Sequence, residues 1–209
     1  MALETYSQLK SAIAEWLDVR TNQALVSRIP DFIAMAERRL QRRLTPWWLE
    51  RVATITESGG DGVVPTPDRV QQVRLLTTSS GAEIEYRTPM ALAALPENNT
   101  PGTPEYYTVV DCQIQTYPKL AEGLSLKAVY IAYPEPLSDT NPTNSWLSYA
   151  PDALLFATLV QAIPYLRDDE RAPLWERYFQ GALEEIEMQD KNRRWGGSPL
   201  RIVSDASFL

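Results

Sequence analysis

The sequence contains no histidine and a single cysteine, Cys112. These two absences exclude an intramolecular disulfide, a zinc site built from cysteine and histidine, a Ser-His-Asp triad and a Cys-His dyad. Carboxylate-only metal sites and a glycosidase-like acid pair stay open, because the chain has 27 Asp and Glu residues. Most such residues are solvated surface groups in any protein. We therefore expect no catalytic activity, no metal and no cofactor.

Long apolar runs and an excess of positive charge are also missing. No apolar run reaches the roughly 18 residues of a membrane-spanning helix, and the first ten residues lack the order of a secretory signal. We expect a protein that stays in the cytoplasm where it is made, with no membrane partner. The net charge of -7 argues against a DNA-binding protein, because the affinity of such a protein for DNA comes from clustered basic residues. A negative surface instead suits the wall of a channel through which DNA slides.

The first 49 residues have the pattern of two helices. Thr5 and Gln8 have the form of a capping box at the start of a helix predicted over residues 5–19. A second helix begins near Pro30 and stops at Thr45-Pro46. The apolar faces consist of Tyr6, Leu9, Ile13 and Trp16 in the first helix, and of Ile29, Phe32, Ile33, Ala36, Leu40 and Leu44 in the second.

The second helix ends in a basic run on an otherwise acidic chain: Arg38, Arg39, Arg42 and Arg43. Two interpretations stay open. The arginines can form a solvated face that compensates the negative end of the helix dipole, or they can make an electrostatic contact with an acidic neighbour. On the second interpretation all four are candidate partner-binding residues.

Residues 50–136 change in character, because glycine and proline separate short β-rich segments. Turn-forming residues lie at 59–62 and 79–81, and Asp111-Cys112 predicts a tight hairpin. We expect an antiparallel meander whose last strand is covered on both sides, since both of its faces are apolar. A short helix is predicted over residues 89–95 and an exposed loop over 96–104. Strands are predicted over residues 50–57, 69–77, 82–88, 105–110, 113–117 and 124–133.

Helical patterns return after a loop over residues 134–144. Pro151 opens a helix that Pro164 should kink one turn before its end. The acidic run Asp168-Asp169-Glu170 starts the next helix, with Pro173 in its first turn, and Trp195-Gly196-Gly197 ends it.

The last segment, residues 198–209, has apolar residues without a helical period. Such a segment has too little surface to fold alone. It either docks on a partner, by strand addition or through its apolar side chains, or folds back on its own subunit. On the first alternative the candidate partner-binding residues also include Trp195, Leu200, Ile202, Val203, Phe208 and Leu209.

These patterns predict an α+β fold. The helical pair of residues 1–49 and the pair of residues 137–197 each expose an apolar stripe that neither pair can bury alone, so we expect them to merge into one four-helix bundle. The antiparallel β-rich lobe of residues 50–136 is inserted between them, and residues 198–209 form an extended arm.

Several helical segments resemble one family in their order and spacing. In the first half these are residues 3–10, Ala14-Glu15-Trp16-Leu17 and residues 29–40. In the second half they are residues 151–155, 165–172, 175–178 and 193–195. Together they resemble the bacteriophage head-to-tail adaptor (connector) proteins of short-tailed phages. The resemblance covers about half of the chain and is looser across the β-rich region.

The resemblance implies a structural virion protein rather than an enzyme. It implies a homo-oligomeric ring of about twelve copies in the virion neck, assembled in the host cytoplasm. The partners would be the portal protein, a tail nozzle or tail-tube protein and other copies of the same chain, with genomic DNA only as passing cargo.

Two alternatives come from other classes of protein. One is a non-viral scaffold module that binds another protein without building a ring. The other is a carboxylate-dependent hydrolase that uses Asp168, Asp169 or Glu170, which requires buried acids with perturbed pKa values in a cleft. Trp47-Trp48, at the junction of helix and sheet, is open to two interpretations, an interface anchor or a core plug.

Overall fold

The computed structural model describes residues 3–19, 21–56, 62–96, 100–166 and 169–195. The chain divides into two compact units, a helical unit of residues 1–47 with 135–209 and a β-rich unit of residues 48–134. This confirms the predicted α+β class. In the described residues the helices are α1 (Tyr6–Trp16), α2 (Gln23–Val26), α3 (Ile29–Arg43), α4 (Pro89–Ala93), α5 (Ser145–Tyr149), α6 (Pro151–Ala162) and α7 (Ala172–Trp195). The strands are β1 (Glu50–Thr56), β2 (Val63–Pro65), β3 (Val70–Thr78), β4 (Glu85–Tyr86), β5 (Tyr106–Val110), β6 (Gln113–Tyr117) and β7 (Ser125–Ala132).

Helix α6 lies at the centre of the helical unit. Its sequence is apolar around most of its circumference, and most of its side chains are buried, as expected for a helix surrounded by others. It packs against α3, α7, α1 and α5. The proposed four-helix bundle stays a prediction, since the short helices α2 and α5 also belong to this unit.

Helix α1 begins where the capping box predicts. The Gln8 amide donates to Thr5 Oγ1 at 3.3 Å, and the Thr5 amide donates to Gln8 Oε1 at 3.1 Å. The helix ends at Trp16, three residues before the predicted end, because Asp18 adopts a left-handed backbone with φ 54°.

The turn into α7 also differs from the prediction. Pro164 does not kink α6; the helix passes instead into a 3-10 turn over Ile163–Tyr165. Helix α7 then starts at Ala172, after the acidic run rather than within it, and Pro173 falls in its first turn as expected.

A buried carboxylate ties residues 135–144 to α3. Glu37 is only 3% exposed and accepts hydrogen bonds from the Leu137 amide, at 3.3 and 3.4 Å, and from Asn144 Nδ2. Asn144 in turn caps α5, since its Oδ1 accepts from the Leu147 amide at 3.0 Å. The region predicted as a plain loop is therefore a fixed connection, and it leads into a helix that the sequence did not predict.

The β-rich unit contains two sheets in the described residues, and the predicted meander is wrong. Their strand orders are β1-β7-β3 and β2-β6-β5-β4. Strand β7, the last in the chain, pairs antiparallel with both β1 and β3, and β4 pairs parallel with β5. A meander pairs sequential strands, whereas here the most apolar strand occupies the central position, where it is covered best. The core consists of Ile55, Val64, Leu76, Ile84, Tyr107, Ile114, Leu120, Leu126, Ala128 and Tyr130.

The strand boundaries were predicted closely where local signals are strong. Strands β5 and β6 meet through a two-residue turn at Asp111-Cys112, whose φ values of 52° and 56° are those of a type I′ hairpin. This confirms the predicted hairpin.

Other strands differ from the prediction. Strand β4 is much shorter than the predicted residues 82–88, and β2 was not predicted. On β7, Ile131 is buried on the second face as expected, but Tyr133 beyond the strand is 40% exposed.

Candidate partner-binding surfaces

The basic run on α3 is divided between two environments. Arg38, Arg42 and Arg43 are exposed, whereas Arg39 is half-buried. Side chains three and four residues apart share a helix face, so Arg38 and Arg42 lie on one outer stripe of α3. Their role in partner binding stays a prediction.

Arg39 connects α3 to α7. Its Nη2 lies 3.3 Å from Glu176 Oε1, and its guanidinium carbon lies 4.7 Å from the centre of the Phe179 ring. Glu176 also accepts a 2.7 Å hydrogen bond from Gln180 Nε2. Arg39 therefore makes a contact within its own helical unit, which distinguishes it from the three exposed arginines.

Trp47 lies in an aromatic and charged cluster at the end of α3. The guanidinium carbon of Arg193 lies 3.4 Å from the centre of the Trp47 ring, and the Tyr149 ring packs against Trp47 edge-on at 5.5 Å. The Trp47 amide donates to Asp190 Oδ1 at 2.9 Å, and Arg194 Nε lies 2.8 Å from Asp190 Oδ2. The Asp190–Arg194 pair has the spacing of four residues that favours pairing on a helix, whereas the other contacts join distant parts of the chain.

The adjacent residues Trp47 and Trp48 differ in burial, since Trp47 is only half-buried. Trp48 is only 4% exposed, which favours the core-plug interpretation for that residue.

Helix α7 ends at Trp195, as predicted. The side chain of Trp195 and the candidate residues Leu200, Ile202, Val203, Phe208 and Leu209 lie outside the part of the chain that the structure describes.

Asp169 forms an ion pair just before α7. Its Oδ1 accepts from Arg171 Nε at 2.9 Å, and its Oδ2 accepts from Arg171 Nη2 at 2.7 Å. These hydrogen bonds hold the pKa of Asp169 below its usual range and raise the pKa of Arg171. Arg171 Nη1 also donates to the Trp16 carbonyl at 2.8 Å, which fixes α7 to the end of α1.

This arrangement does not suit the hydrolase hypothesis. A carboxylate whose pKa is lowered by a paired arginine stays ionised and is a poor general acid. Glu170 is exposed, and Asp168 lies outside the described residues. Among the residues that the structure describes, no group of three or more Cys, Asp or Glu side chains could hold a metal ion.

The β-rich unit carries an open cleft of about 520 Å³ beside β3 and β5. The cleft is lined by Val70, Gln71, Arg74, Tyr86, Tyr107 and Cys112, among others. The Tyr107 ring lies 5.5 Å from that of Tyr86, and burial raises the pKa of Tyr107. A tyrosine with a raised pKa is not activated as a nucleophile, so Tyr107 gives this cleft a surface for binding rather than a reactive group.

Comparison with known protein families shows which class of protein carries these surfaces. Residues 4–203 match the model of a family described as the SU10 adaptor protein. The chain belongs to the SU10 adaptor family. The match spans both helical halves and the β-rich region between them, so it covers more of the adaptor than the helical resemblance alone.

Membership confirms the resemblance to a bacteriophage head-to-tail adaptor and identifies the adaptor as a structural virion protein. Its family is known for structural roles in phages rather than for catalysis. A search of curated proteins returns no match to the chain. None of the described helices is long and apolar enough to cross a membrane.

Proposed function

We propose that the adaptor forms a ring in the virion neck of a short-tailed phage, where it joins the portal to the tail. The observation that carries this proposal is the family match over residues 4–203. The ring would contain about twelve copies and would assemble in the host cytoplasm. Its partners would be the portal protein, a tail nozzle or tail-tube protein and neighbouring copies.

The ring would also line the channel through which the genome passes. The adaptor has a net charge of -7, and a wall of like charge repels the phosphate backbone. DNA would therefore be passing cargo and not a bound ligand. The exposed arginines on α3 would face away from this channel, because clustered guanidinium groups retain phosphates.

The two units would have different tasks in this ring. The bundle of α1, α3, α6 and α7 would form the ring body, and the β-rich unit of residues 48–134 would contact neighbouring components. Residues 198–209 would form an arm that docks its apolar side chains on an adjacent subunit or on the portal.

Electron microscopy of the purified adaptor mixed with the portal ring of its own phage tests the proposal. A stacked complex, with an additional ring beneath the portal, is the expected result. Native mass spectrometry of the same complex would give the number of copies. An adaptor that binds no portal ring, and instead associates only with a cellular protein, would favour the non-viral scaffold and contradict the proposal.

A further inference from the structure

An exposed apolar surface is formed by three helices of the helical unit. It consists of Trp16 on α1, Phe156 on α6, and Leu174 and Tyr178 on α7; these four residues are called the aromatic patch. Trp16, Leu174 and Tyr178 are 39%, 39% and 41% exposed. The patch is continuous, because the Phe156 ring lies 5.6 Å from that of Trp16 and 5.1 Å from that of Tyr178.

The patch follows from the position of α6. Beyond its first turn this helix is apolar around most of its circumference, and it therefore needs cover on most sides. Phe156 is only half-buried, with Trp16 and Tyr178 at its two edges. Large aromatic side chains that remain exposed as a group are typical of protein–protein interfaces.

Exposed acidic residues lie around the aromatic patch, and Arg171, which contacts the Trp16 carbonyl there, is already paired with Asp169. Asp18 is exposed two residues beyond Trp16 and lies close enough to Arg171 to raise its pKa. Asp152 is exposed one helical turn before Phe156, and Glu185 is exposed seven residues after Tyr178, on the same face of α7. The partner that fits this surface is thus positively charged and has some apolar area.

Such a surface exists on the same chain. Met35, Arg38 and Arg42, called the basic stripe, are spaced three and four residues apart and lie on the outer face of α3. All three are exposed, and Met35 is 39% exposed. Arg39, the other arginine on this turn, is engaged with Glu176 and Phe179. The basic stripe thus combines guanidinium groups with an adaptable apolar side chain.

We propose that the basic stripe of one adaptor copy packs on the aromatic patch of the next. Arginine stacks on tryptophan and tyrosine faces and pairs with carboxylates, so the two surfaces are complementary in both respects. They are also separate, since α3 contributes nothing to the patch. A ring needs such a contact between two different faces, and two basic stripes would repel each other. This inference rests on the proposed ring and specifies its subunit contact.

Disulfide crosslinking tests the contact directly, since the adaptor has a single native cysteine. In a Cys112→Ser background, Arg42→Cys and Tyr178→Cys are combined in one chain, and rings assembled on the portal are oxidised. The expected product is a ladder of covalent multimers on a non-reducing gel. Each single-cysteine variant should give no species beyond a dimer. Arg42→Cys combined with Ser11→Cys, which lies on an exposed face of α1 away from Trp16, is the matched control.

The outcomes separate this inference from the proposed function. Rings that form on the portal without crosslinks between positions 42 and 178 would overturn the inference and leave the function standing. Failure of the unsubstituted adaptor to form any ring would overturn both. A ladder of equal strength in the Ser11 control would show unspecific crosslinking and would also contradict the inference.

Charge reversal gives an independent measurement on the same contact. Arg38→Glu with Arg42→Glu should lower the yield of rings at least tenfold, and Asp18→Lys with Asp152→Lys should do the same. Combining all four changes in one chain should restore most of the yield, because the complementarity is reversed on both sides. Circular dichroism of each variant separates lost assembly from lost folding. A combined variant that assembles no better than either pair would contradict the proposed contact.

Discussion

The guanidinium group of Arg193 stacks on the indole of Trp47, with 3.4 Å between the guanidinium carbon and the ring centre. The two residues come from the two separate segments of the helical unit, and the contact holds the end of α7 against the residues that follow α3. It stabilises the unit in addition to the hydrogen bond from the Trp47 amide to Asp190.

Replacing Arg193 tests the strength of this stacking. We expect Arg193→Ala to lower the free energy of unfolding by about 1 kcal/mol, the usual size of a partly exposed cation–π contact. Urea unfolding followed by circular dichroism measures the change. Arg177→Ala, at an exposed position on the same helix, should change stability by less than about 0.5 kcal/mol. Equal effects of the two substitutions would show that the stacking contributes nothing specific.

Removing the buried carboxylate of Glu37 should be more damaging. Glu37→Ala leaves the Leu137 amide without this acceptor and removes the partner of Asn144 Nδ2. We expect the free energy of unfolding to fall by about 2 to 3 kcal/mol, since a buried donor loses its acceptor. Glu184→Ala, on the exposed face of α7, is the control and should have little effect. A loss of less than about 0.5 kcal/mol for Glu37→Ala would contradict this role.

The ion pair between Asp169 and Arg171 predicts a dependence of stability on pH. The folded protein lowers the pKa of Asp169, so the pair stabilises the fold above the ordinary aspartate value of about 3.9. That stabilisation is lost as the pH falls through the lowered pKa. Because the pair is partly exposed, we expect a contribution of at most about 1 kcal/mol.

Asp169→Asn is the substitution that isolates this pair. Its stability should fall below that of the unchanged protein at pH 7, and the difference should shrink as the pH drops below 4, an expectation drawn from the ordinary aspartate pKa of about 3.9. Chemical unfolding at a series of pH values measures it. A difference that stays constant between neutral and acidic pH would show that the charge of Asp169 is not responsible.

The turn between β5 and β6 offers a stabilising substitution. Cys112 has a φ of 56°, a conformation that costs a residue with a side chain about 1 kcal/mol relative to glycine. Its carbonyl accepts from the Thr66 amide at 3.0 Å, and glycine retains that acceptor. We expect Cys112→Gly to raise the midpoint of thermal unfolding, whereas Cys112→Ala should not. A lower midpoint for the glycine variant would mean that the thiol makes a stabilising contact.

Deleting residues 198–209 tests the proposed arm. We expect the truncated adaptor to keep its helical content and its unfolding midpoint but to form fewer rings on the portal, because the apolar side chains of the arm would bind a neighbour. Circular dichroism and electron microscopy measure the two effects. Loss of folding in the truncated protein would show that the segment packs on its own subunit.

Local signals in the sequence predicted local structure well. The capping box of Thr5 and Gln8, and the Asp111-Cys112 hairpin, depend on residues close in the chain, so their geometry follows from spacing and backbone preference. The central position of β7 could not be predicted in this way. Strand order depends on which distant segments bury each other best, and both faces of β7 are apolar whichever neighbours it has.

The same limit applies to the candidate residues. The sequence marks four arginines on α3 as equivalent, yet Arg39 alone turns towards α7, where Glu176 lies 137 positions away. The aromatic patch could not be predicted for the same reason, since helical periodicity assigns Trp16 to a buried face. In the folded unit α1 and α7 pack on either side of Phe156, and the Trp16 ring remains exposed at the surface.

The strand order of the β-rich unit has a consequence for biosynthesis. Strands β1 and β3 leave the ribosome long before β7, yet β7 is the strand that both of them pair with. Until residue 132 has been made, their unpaired edges are exposed to other nascent chains, and such edges promote aggregation. Virion subunits are made in many copies at once in an infected cell, so this interval is when we expect the adaptor to depend most on chaperones.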